Sequence, residues 1–308
     1  MVTPPLRPTL VLPVYRGGER LKRSLASIRE SEEYFDRIVV SLNSAAGSPD
    51  EVTIAEFKAQ GPSKIEVIQS GSELPWMAHQ YFWLSYLEST GMSADDWVYW
   101  FAHDDEIKPS GIARIIDAEG NWPLEPGTIY LGPWGMRYDE PDKLYDGPRD
   151  TDVESWTSFP IEGPLRLPVA EWIAQQLEQP TYINMSGCIT ALGSFQQLRG
   201  FPIAKPGGMR IEMATAAAPR NLFVQELPEP VIITYTCKVS DRTKYAKVAR
   251  KDDRHMAAWL ANYIAHHPGA AIPSLRATGR VALGYLRVVT KRGSLPQEDW
   301  RFREKVKP

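Results

Sequence analysis

Short apolar runs alternate with amphipathic stretches along the first 131 residues of the chain. Continuous apolar runs predict buried strands, whereas apolar residues spaced three and four apart predict helices. Their alternation is typical of a mostly parallel sheet that is covered by helices. We therefore predict an α/β fold, with strands at 9–14, 37–42, 65–69, 97–102 and 128–131 and helices at about 18–29, 49–60 and 76–88.

Residues 139–165 interrupt this alternation. They are rich in Asp, Pro, Gly and Ser, which predicts a long loop. Loops of that length within a compact domain are usually functional lids or disordered segments.

The composition favours a soluble enzyme with a well-filled core. The chain has 308 residues, of which 43% are hydrophobic, and it contains no apolar run of membrane-crossing length. Its first residues lack the basic leader and the apolar region of a signal peptide, so a cytoplasmic location is expected. The two cysteines, Cys188 and Cys237, are too few for a disulfide framework or a zinc site and are expected to be buried thiols.

The C-terminal part of the chain is basic. Between Arg242 and Pro308 there are 15 Lys and Arg against five Asp and Glu, although the whole chain has a net charge of -3. Apolar residues recur at helical spacing in the same part. Two interpretations are open: helices that pack on the main domain with solvated basic faces, which we favour, or a surface that contacts the inner face of the cell membrane peripherally.

Two adjacent carboxylates follow the apolar strand at 97–102. Asp104 and Asp105 are therefore expected at its carboxyl end, where ligands bind in open α/β sheets. Two like charges side by side favour a cation, and Mg²⁺ or Mn²⁺ takes carboxylate oxygens together with the oxygens of a diphosphate. The alternative is that one aspartate caps a helix that opens near Pro109. Capping would account for one aspartate and leave the other unexplained.

Three stretches of the sequence resemble the family 2 glycosyltransferases. They are the opening LVLPVYRGGERLKRSLASI, the strand RIVVSLNS and the strand with its acids, WVYWFAHDDEIKP. The resemblance covers roughly the first two-thirds of the chain and implies the GT-A fold and a nucleotide-sugar donor. It implies a GT-A domain over residues 1–240, with a nucleotide-binding half at 1–120 and an acceptor half at 121–240, and a basic helical extension at 241–308.

The resemblance also implies a divalent metal ion, Mn²⁺ or Mg²⁺, bound by Asp105. Asp104 would contact the ribose of the nucleotide or reach the ion through water. The ion would stabilise the charge, about two units, that develops on the diphosphate when its bond to the sugar breaks. The chain departs from the family at Ala102, where many relatives have an aspartate, and His103 is a further candidate ligand.

The family's nucleotide-binding loop corresponds to Pro13, Val14 and Tyr15, at the end of the first strand. Ser41 stands where relatives usually carry an aspartate, and Asn43 follows it. A serine hydroxyl can hydrogen-bond the edge of a pyrimidine but carries no charge. The donor nucleotide is expected to be UDP or dTDP rather than GDP.

An inverting transferase needs a base near the acceptor hydroxyl. The segment SGCITALGSFQQLRGFPIAKPGGMRIEMATAA is similar to the family's acceptor region, and it makes Glu212 the predicted base. The alternative for Glu212 is a solvated helix glutamate paired with Arg210. His79 lies where relatives contact phosphate, although a histidine among aromatic residues is more often part of a packed core. Further candidates for acceptor or phosphate contacts are Trp134, Trp156, Gly187, Arg210 and Lys238.

These features predict an inverting, metal-dependent glycosyltransferase of the hexosyltransferase class. Its acceptor would be a glycan or a lipid-linked glycan, as in bacterial surface polysaccharide biosynthesis. A sugar nucleotidyltransferase would share the fold class and the metal, but it normally opens with a Gly-rich loop carrying a catalytic basic residue, which PVYRGGERLK lacks. A catalytically inactive relative, acting as a binding or scaffold subunit, would suit the departures at Ala102, Ser41 and Lys238. The tail lacks a recognised nucleic-acid-binding motif, so nucleic acid is not expected as a partner.

Overall fold

The computed structural model describes residues 7–61, 63–74, 76–139, 154–156, 166–168, 186–196 and 223–237. The strands are β1 (Thr9–Val14), β2 (Arg37–Leu42), β3 (Ile65–Gln69), β4 (Trp97–Trp100), β5 (Glu106–Ile107), β6 (Thr128–Leu131), β7 (Trp134–Asp139), β8 (Glu154–Trp156), β9 (Arg166–Pro168), β10 (Cys188–Ala191), β11 (Phe223–Glu226) and β12 (Ile232–Cys237). The helices are α1 (Gly18–Glu30), α2 (Pro49–Ala59), α3 (Trp76–Ser89), α4 (Pro109–Ile115) and α5 (Leu192–Gln196), with a 3₁₀ turn at Glu32–Tyr34.

Eight of these strands form one sheet in the order β3-β2-β1-β4-β10-β6-β11-β9. The first four are mutually parallel, and β6 is parallel to β11, whereas β10 runs antiparallel to both of its neighbours. The predicted α/β fold with a mostly parallel sheet is therefore confirmed. Because β1 to β4 run the same way, their carboxyl ends lie at one edge of the sheet, and the antiparallel β10 brings its amino end to the same edge.

Helices cover both faces of the parallel half. Alternate side chains of β1 and β2, such as Leu12 and Val40, join the core cluster that also contains Leu21 and Leu25 of α1. The intervening positions face the other way, towards α3, as the contact between Ser41 and His79 shows. Burial on both sides explains why these strands read as continuous apolar runs in the sequence.

Helix α1 begins at a glycine pair that supplies no capping side chain. The carboxylate of Asp50, in the first turn of α2, accepts hydrogen bonds from the backbone N–H groups of Gly17 and Gly18, both at 3.1 Å. Asp50 is 5% exposed. It therefore caps α1 from a neighbouring helix and fixes the loop that leaves β1.

A smaller sheet has the order β5-β12-β7-β8. Its strand β8 lies within residues 139–165, so the prediction of one long loop there was wrong for residues 154–156. The pairing of β8 with β7 is a long-range contact that local composition does not encode. Residues 241–308, with the predicted helical extension, lie outside the described part of the chain. No helix of the described residues is long and apolar enough to span a membrane.

Candidate functional site at the carboxyl edge of the sheet

The acidic loop, residues 101–105, leaves β4 at the shared edge of the sheet. Its turn is closed by a hydrogen bond from the N–H of Asp105 to the carbonyl of Ala102, at 3.3 Å. The N–H of Ala102 in turn donates to the hydroxyl of Ser186, at 2.9 Å, just ahead of β10. The imidazole Nδ1 of His103 lies 3.2 Å from the carbonyl oxygen of Pro13, at the end of β1. The loop is thus held against both neighbouring strands.

The two adjacent aspartates differ sharply in exposure. The side chain of Asp104 is 41% exposed, and its carboxylate lies 4.0 Å from the guanidinium of Arg20. Asp105 is only 3% exposed. Of the two, Asp104 presents its carboxylate to solvent, and the burial of Asp105 argues against the predicted assignment of the ion to Asp105.

The helix-capping alternative for the aspartates was wrong. The short strand β5, residues 106–107, separates them from α4, and the residue that precedes α4 is Lys108. Pro109 occupies the first turn of the helix, as predicted. Neither Asp104 nor Asp105 is the N-cap residue of α4, because β5 lies between the two aspartates and the helix.

Helix α1 presents a polar stripe to the acidic loop. Arg20, Arg23, Ser24 and Ser27 recur at a spacing of three and four residues, so they lie on one side of the helix. The hydroxyl of Ser24 lies 2.7 Å from the carbonyl oxygen of His103 and 2.5 Å from that of Asp105. The hydroxyl of Ser27 accepts from the N–H of Ile107, at 3.0 Å.

A buried ion pair lies beneath the loop. Arg23 and Glu106 are 9% and 2% exposed, with 3.5 Å between Nε and Oε1. The guanidinium of Arg23 also stacks 3.3 Å from the ring centroid of Tyr235, whose hydroxyl accepts from Arg137 at 3.3 Å. Burial and the nearby Glu106 raise the pKa of Tyr235 to about 12. Through this cluster, α1 is tied to β5 and to β12 in the smaller sheet.

Two of the predicted nucleotide contacts are buried against each other. Ser41 and His79 are 0% and 2% exposed, and Oγ and Nε2 lie 2.8 Å apart. Burial lowers the pKa of His79 to about 4, with a smaller contribution from His103 and an opposing one from the hydrogen bond to Ser41. The pair is therefore uncharged at pH 7. Asn43, 4% exposed, exchanges hydrogen bonds with the backbone N–H and carbonyl of Leu74.

The neutral His79 predicts a loss of stability in mild acid. Its pKa is about 6.5 in the unfolded chain and about 4 in the folded protein. Between these values the unfolded state binds more protons, so stability is full above pH 6.5 and falls as the pH is lowered towards 4. We expect the free energy of unfolding, from urea denaturation, to drop by about 2 kcal/mol between pH 7 and pH 5 through this residue. The drop should be smaller by that amount in His79→Gln. A drop in this variant as large as in the wild type would show that His79 does not cause the loss of stability.

An aromatic ring and an ion pair are exposed just beyond the carboxyl ends of β1 and β3. Tyr15 is 42% exposed, and its hydroxyl donates to Glu73 at 3.2 Å. Arg16 donates to both carboxylate oxygens of Glu73, at 3.0 and 3.1 Å. Arg16 has φ 52°, the one positive φ of a non-glycine residue in the described part of the chain. Such conformations concentrate at ligand-binding sites.

Gly187, a predicted acceptor contact, is buried and has a packing role. Its φ is +80°, and a Cβ there would lie 2.9 Å from the Cγ2 of Ile232 and 3.1 Å from that of Val231. Its N–H donates to the carbonyl of Trp100 at 2.8 Å. The glycine lets β10 pass close to the smaller sheet beside the acidic loop.

Replacing Gly187 with Ala should therefore lower stability by about 2 kcal/mol, because both the backbone conformation and the space exclude a methyl group. Gly71 is a matched control, since its φ is +77° but nothing lies within 4 Å of its Cβ position. Urea denaturation should show a smaller loss for Gly71→Ala. Equal losses in the two variants would mean that packing around Gly187 contributes nothing.

The remaining predicted site residues fall into two groups: four lie in described strands, and three lie outside the described residues. The backbone of Trp134 and Trp156 lies in β7 and β8, whose antiparallel register pairs the two residues. Pro13 and Val14 end β1 in the interior, with Val14 1% exposed. Glu212, Arg210 and Lys238 lie outside the described residues, so their predicted roles stay predictions.

The fold is shared with solved structures at low sequence identity. The mannosyltransferase PcManGT from Pyrobaculum calidifontis, in complex with GDP-Man and Mn²⁺, matches with a TM-score of 0.54 and 14% identity over 96% of this chain and 79% of that chain. GalNAc-T7, solved with UDP, GalNAc and Mn²⁺, matches with a TM-score of 0.55 and 10% identity, over 87% of this chain and 52% of that chain. Residues 1–349 of S. aureus TarS match with a TM-score of 0.50 and 12% identity, over 95% of this chain and 77% of that chain. By sequence, the chain matches no protein-family model and no curated protein.

The chain has the GT-A fold. In this GT-A domain the parallel strands β1 to β4 and the acidic loop form the edge described above. At identities of 10–14% the likeness concerns the fold, so the activity is argued below from this chain's own residues.

The chemistry of the edge fits one kind of divalent-ion site. Mg²⁺ and Mn²⁺ are commonly held by one or two carboxylates together with substrate phosphates. No group of three His, Cys, Asp or Glu side chains comes together among the residues that the structure describes. Asp104 offers one exposed carboxylate, which suits an ion that arrives with a diphosphate and does not suit an ion held by protein ligands alone.

Sequence reasoning missed the residues that organise this edge. Ser24, Ser27 and Arg23 lie on α1 between the apolar positions that identified the helix, and Asp50 lies in the first turn of α2. The one available signal was the polar stripe itself. Four polar residues at helical spacing beside a fully buried apolar stripe indicate that the helix packs against polar backbone as well as against the core.

Proposed function

We propose that this GT-A domain is a metal-dependent glycosyltransferase that transfers a sugar from a nucleoside diphosphate donor to a glycan acceptor with inversion. The observation that supports it most is the exposed carboxylate of Asp104, which directly follows β4 at the carboxyl edge of the parallel strands. In sheets of this kind, ligands bind at that edge. Neighbours of the same fold that were solved with GDP-Man or UDP together with Mn²⁺ support the same class of donor.

In this proposal the ion is assigned to Asp104 and not, as in the sequence-based assignment, to Asp105. Asp104 holds the ion, because its carboxylate is exposed, and Asp105 is an internal residue of the loop. When bound, the ion neutralises charge on the leaving diphosphate. Arg20 lies beside Asp104 with a side chain 38% exposed, so it is placed to contact a phosphate.

The nucleobase is proposed to stack on the ring of Tyr15. Flat aromatic faces stack on any base, and Tyr15 is one of the two exposed large hydrophobic residues of the described chain. UDP or dTDP, rather than GDP, is proposed as the donor nucleotide from the sequence resemblance, in which Ser41 stands where relatives usually carry an aspartate.

The remaining parts of the proposal rest on residues outside the described structure. Glu212 is proposed as the base that takes the proton of the acceptor hydroxyl, with Arg210 and Lys238 near the phosphates. The acceptor is proposed to be a glycan or lipid-linked glycan of bacterial surface polysaccharide biosynthesis.

Calorimetric titration with nucleoside diphosphates tests the proposal directly. The full chain would be titrated with UDP, dTDP and GDP, each with and without Mn²⁺. Binding of UDP or dTDP that requires Mn²⁺ is the expected result. The absence of binding to any of the three would contradict the proposal and favour an inactive relative that acts as a scaffold.

Replacing Tyr15 with Ala should weaken the Mn²⁺-dependent binding of UDP about tenfold, because loss of an aromatic stacking partner costs about 1–3 kcal/mol per base. Tyr15→Phe is the matched control, since it keeps the ring and removes only the hydrogen bond to Glu73. The same titration should give near wild-type affinity for Tyr15→Phe. If both variants lost affinity equally, the hydroxyl rather than the ring would be the binding group.

A further inference from the structure

The acidic loop has an unusual anchor in α1. The hydroxyl of Ser24 lies within hydrogen-bond distance of two loop carbonyl oxygens, 2.7 Å from that of His103 and 2.5 Å from that of Asp105. A serine inside a helix ordinarily bonds to the carbonyl four residues earlier. Here that oxygen, of Arg20, is farther away at 3.2 Å. The hydroxyl is therefore directed at the loop.

These two carbonyls flank Asp104 in the chain. Both lie against one fully buried hydroxyl, since Ser24 is 0% exposed, and its single O–H proton is available to either carbonyl from the interior. Holding the residue before and the residue after Asp104 inward leaves Asp104 itself at the crest of the turn. This geometry explains why the side chain of Asp104 is 41% exposed while Asp105 is buried, with 3% of the residue exposed.

A second hydroxyl continues the same contact. Ser27 is also 0% exposed, donates to the carbonyl of Ser24 at 2.8 Å and accepts from the N–H of Ile107 at 3.0 Å. The start of β5 is thereby fixed to α1. The loop can move outward only if buried carbonyl and N–H groups lose their partners, which costs about 1–3 kcal/mol for each group.

We propose that Ser24 is a positioning residue that holds the carboxylate of Asp104 outward at the ligand edge and thereby sets which aspartate receives the ion. The claim that Ser24 sets the position of the ion rests on the proposed function. The claim that Ser24 anchors the acidic loop rests only on the hydrogen-bond distances given above. Residues that orient a metal ligand typically change metal affinity 10- to 100-fold when they are replaced.

The test compares Ser24→Ala with Ser31→Ala. Ser31, at the end of the same helix, is equally buried, and its hydroxyl has no hydrogen-bond partner among the described residues. Two readouts are needed. The first is the affinity for Mn²⁺ in the presence of UDP, measured by electron paramagnetic resonance of the free ion, and the second is hydrogen exchange of the Asp105 and Ile107 amides without metal.

We expect Mn²⁺ affinity to fall about tenfold or more in Ser24→Ala and to stay at the wild-type value in Ser31→Ala. The loop amides should exchange faster in Ser24→Ala alone. Ser24→Thr, which keeps the hydroxyl, should restore affinity.

Equal Mn²⁺ affinity in folded Ser24→Ala and wild type would overturn the inference, as would equal losses in the Ser24 and Ser31 variants. If wild-type protein bound no Mn²⁺ with any nucleotide, the proposed function would fail by itself. The exchange measurement would then still decide the inference: unchanged rates in Ser24→Ala would refute the anchoring of the loop, and faster rates would support it.

Discussion

Replacing Asp104 with Asn is expected to lower the rate of sugar transfer about 100- to 1000-fold, the usual effect of removing one electrostatic group from a reacting centre. The variant keeps the shape of the side chain and removes the charge that attracts the ion. Because Asp104 is 41% exposed and its nearest ion pair spans 4.0 Å, the change should leave the fold intact. The measurement is donor turnover with UDP-sugar at saturating Mn²⁺, together with thermal unfolding of both proteins.

Two further variants make this result specific. Asp95 is exposed just before the amino end of β4, at the far edge of the sheet, so Asp95→Asn should retain full activity. Asp105→Asn changes a buried residue and should act mainly on stability. If Asp105→Asn abolished Mn²⁺ binding while Asp104→Asn left it unchanged, the ion would belong to Asp105 and our assignment to Asp104 would be wrong.

The elements around this edge were predictable because their signals are local. Strands 9–14, 37–42 and 65–69 have the predicted bounds. The first two are buried on both faces, whereas 65–69 lies at the edge of the sheet and is only partly buried. The strand predicted at 97–102 ends at Trp100. Phe101 and Ala102 are apolar, but they already belong to the turn that presents Asp104, and an apolar run carries no information about where strand pairing stops.

The exposure of one aspartate and the burial of the next were not predictable in the same way. They depend on a serine about 80 residues earlier in the chain, which meets the loop only after β1, α1 and β4 have packed. Ser41 was not predictable in the same way. The resemblance makes it a nucleotide contact, whereas in the structure it is buried against His79. Patterns along the chain locate the edge of the sheet, whereas long-range packing selects the side chains that face the ligand.

Loss of the Arg23 guanidinium is expected to be the most destabilising single change at this edge. Arg23→Met keeps an unbranched apolar stem but removes the cation that lies 3.5 Å from the carboxylate of Glu106, a residue that is 2% exposed. Breaking a buried ion pair on one side costs about 3–5 kcal/mol. Urea denaturation at pH 7 should show a loss of that size. Arg29 of the same helix, stacked 3.8 Å from the ring centroid of Phe57 but only partly buried, is the control, and Arg29→Met should cost about 1 kcal/mol.

The double variant Arg23→Met/Glu106→Gln separates charge from packing. If the cost comes from an uncompensated buried charge, neutralising Glu106 should recover much of the stability that Arg23→Met loses. If instead the stacking of Arg23 on Tyr235 dominates, at 3.3 Å from the ring centroid, the double variant should be no more stable than the single one. Because Glu106 directly follows Asp105, the first outcome would mean that the ion pair fixes the end of the acidic loop. The loop would then be held at two points by α1, through the Ser24 hydroxyl before Glu106 and through Arg23 at Glu106 itself.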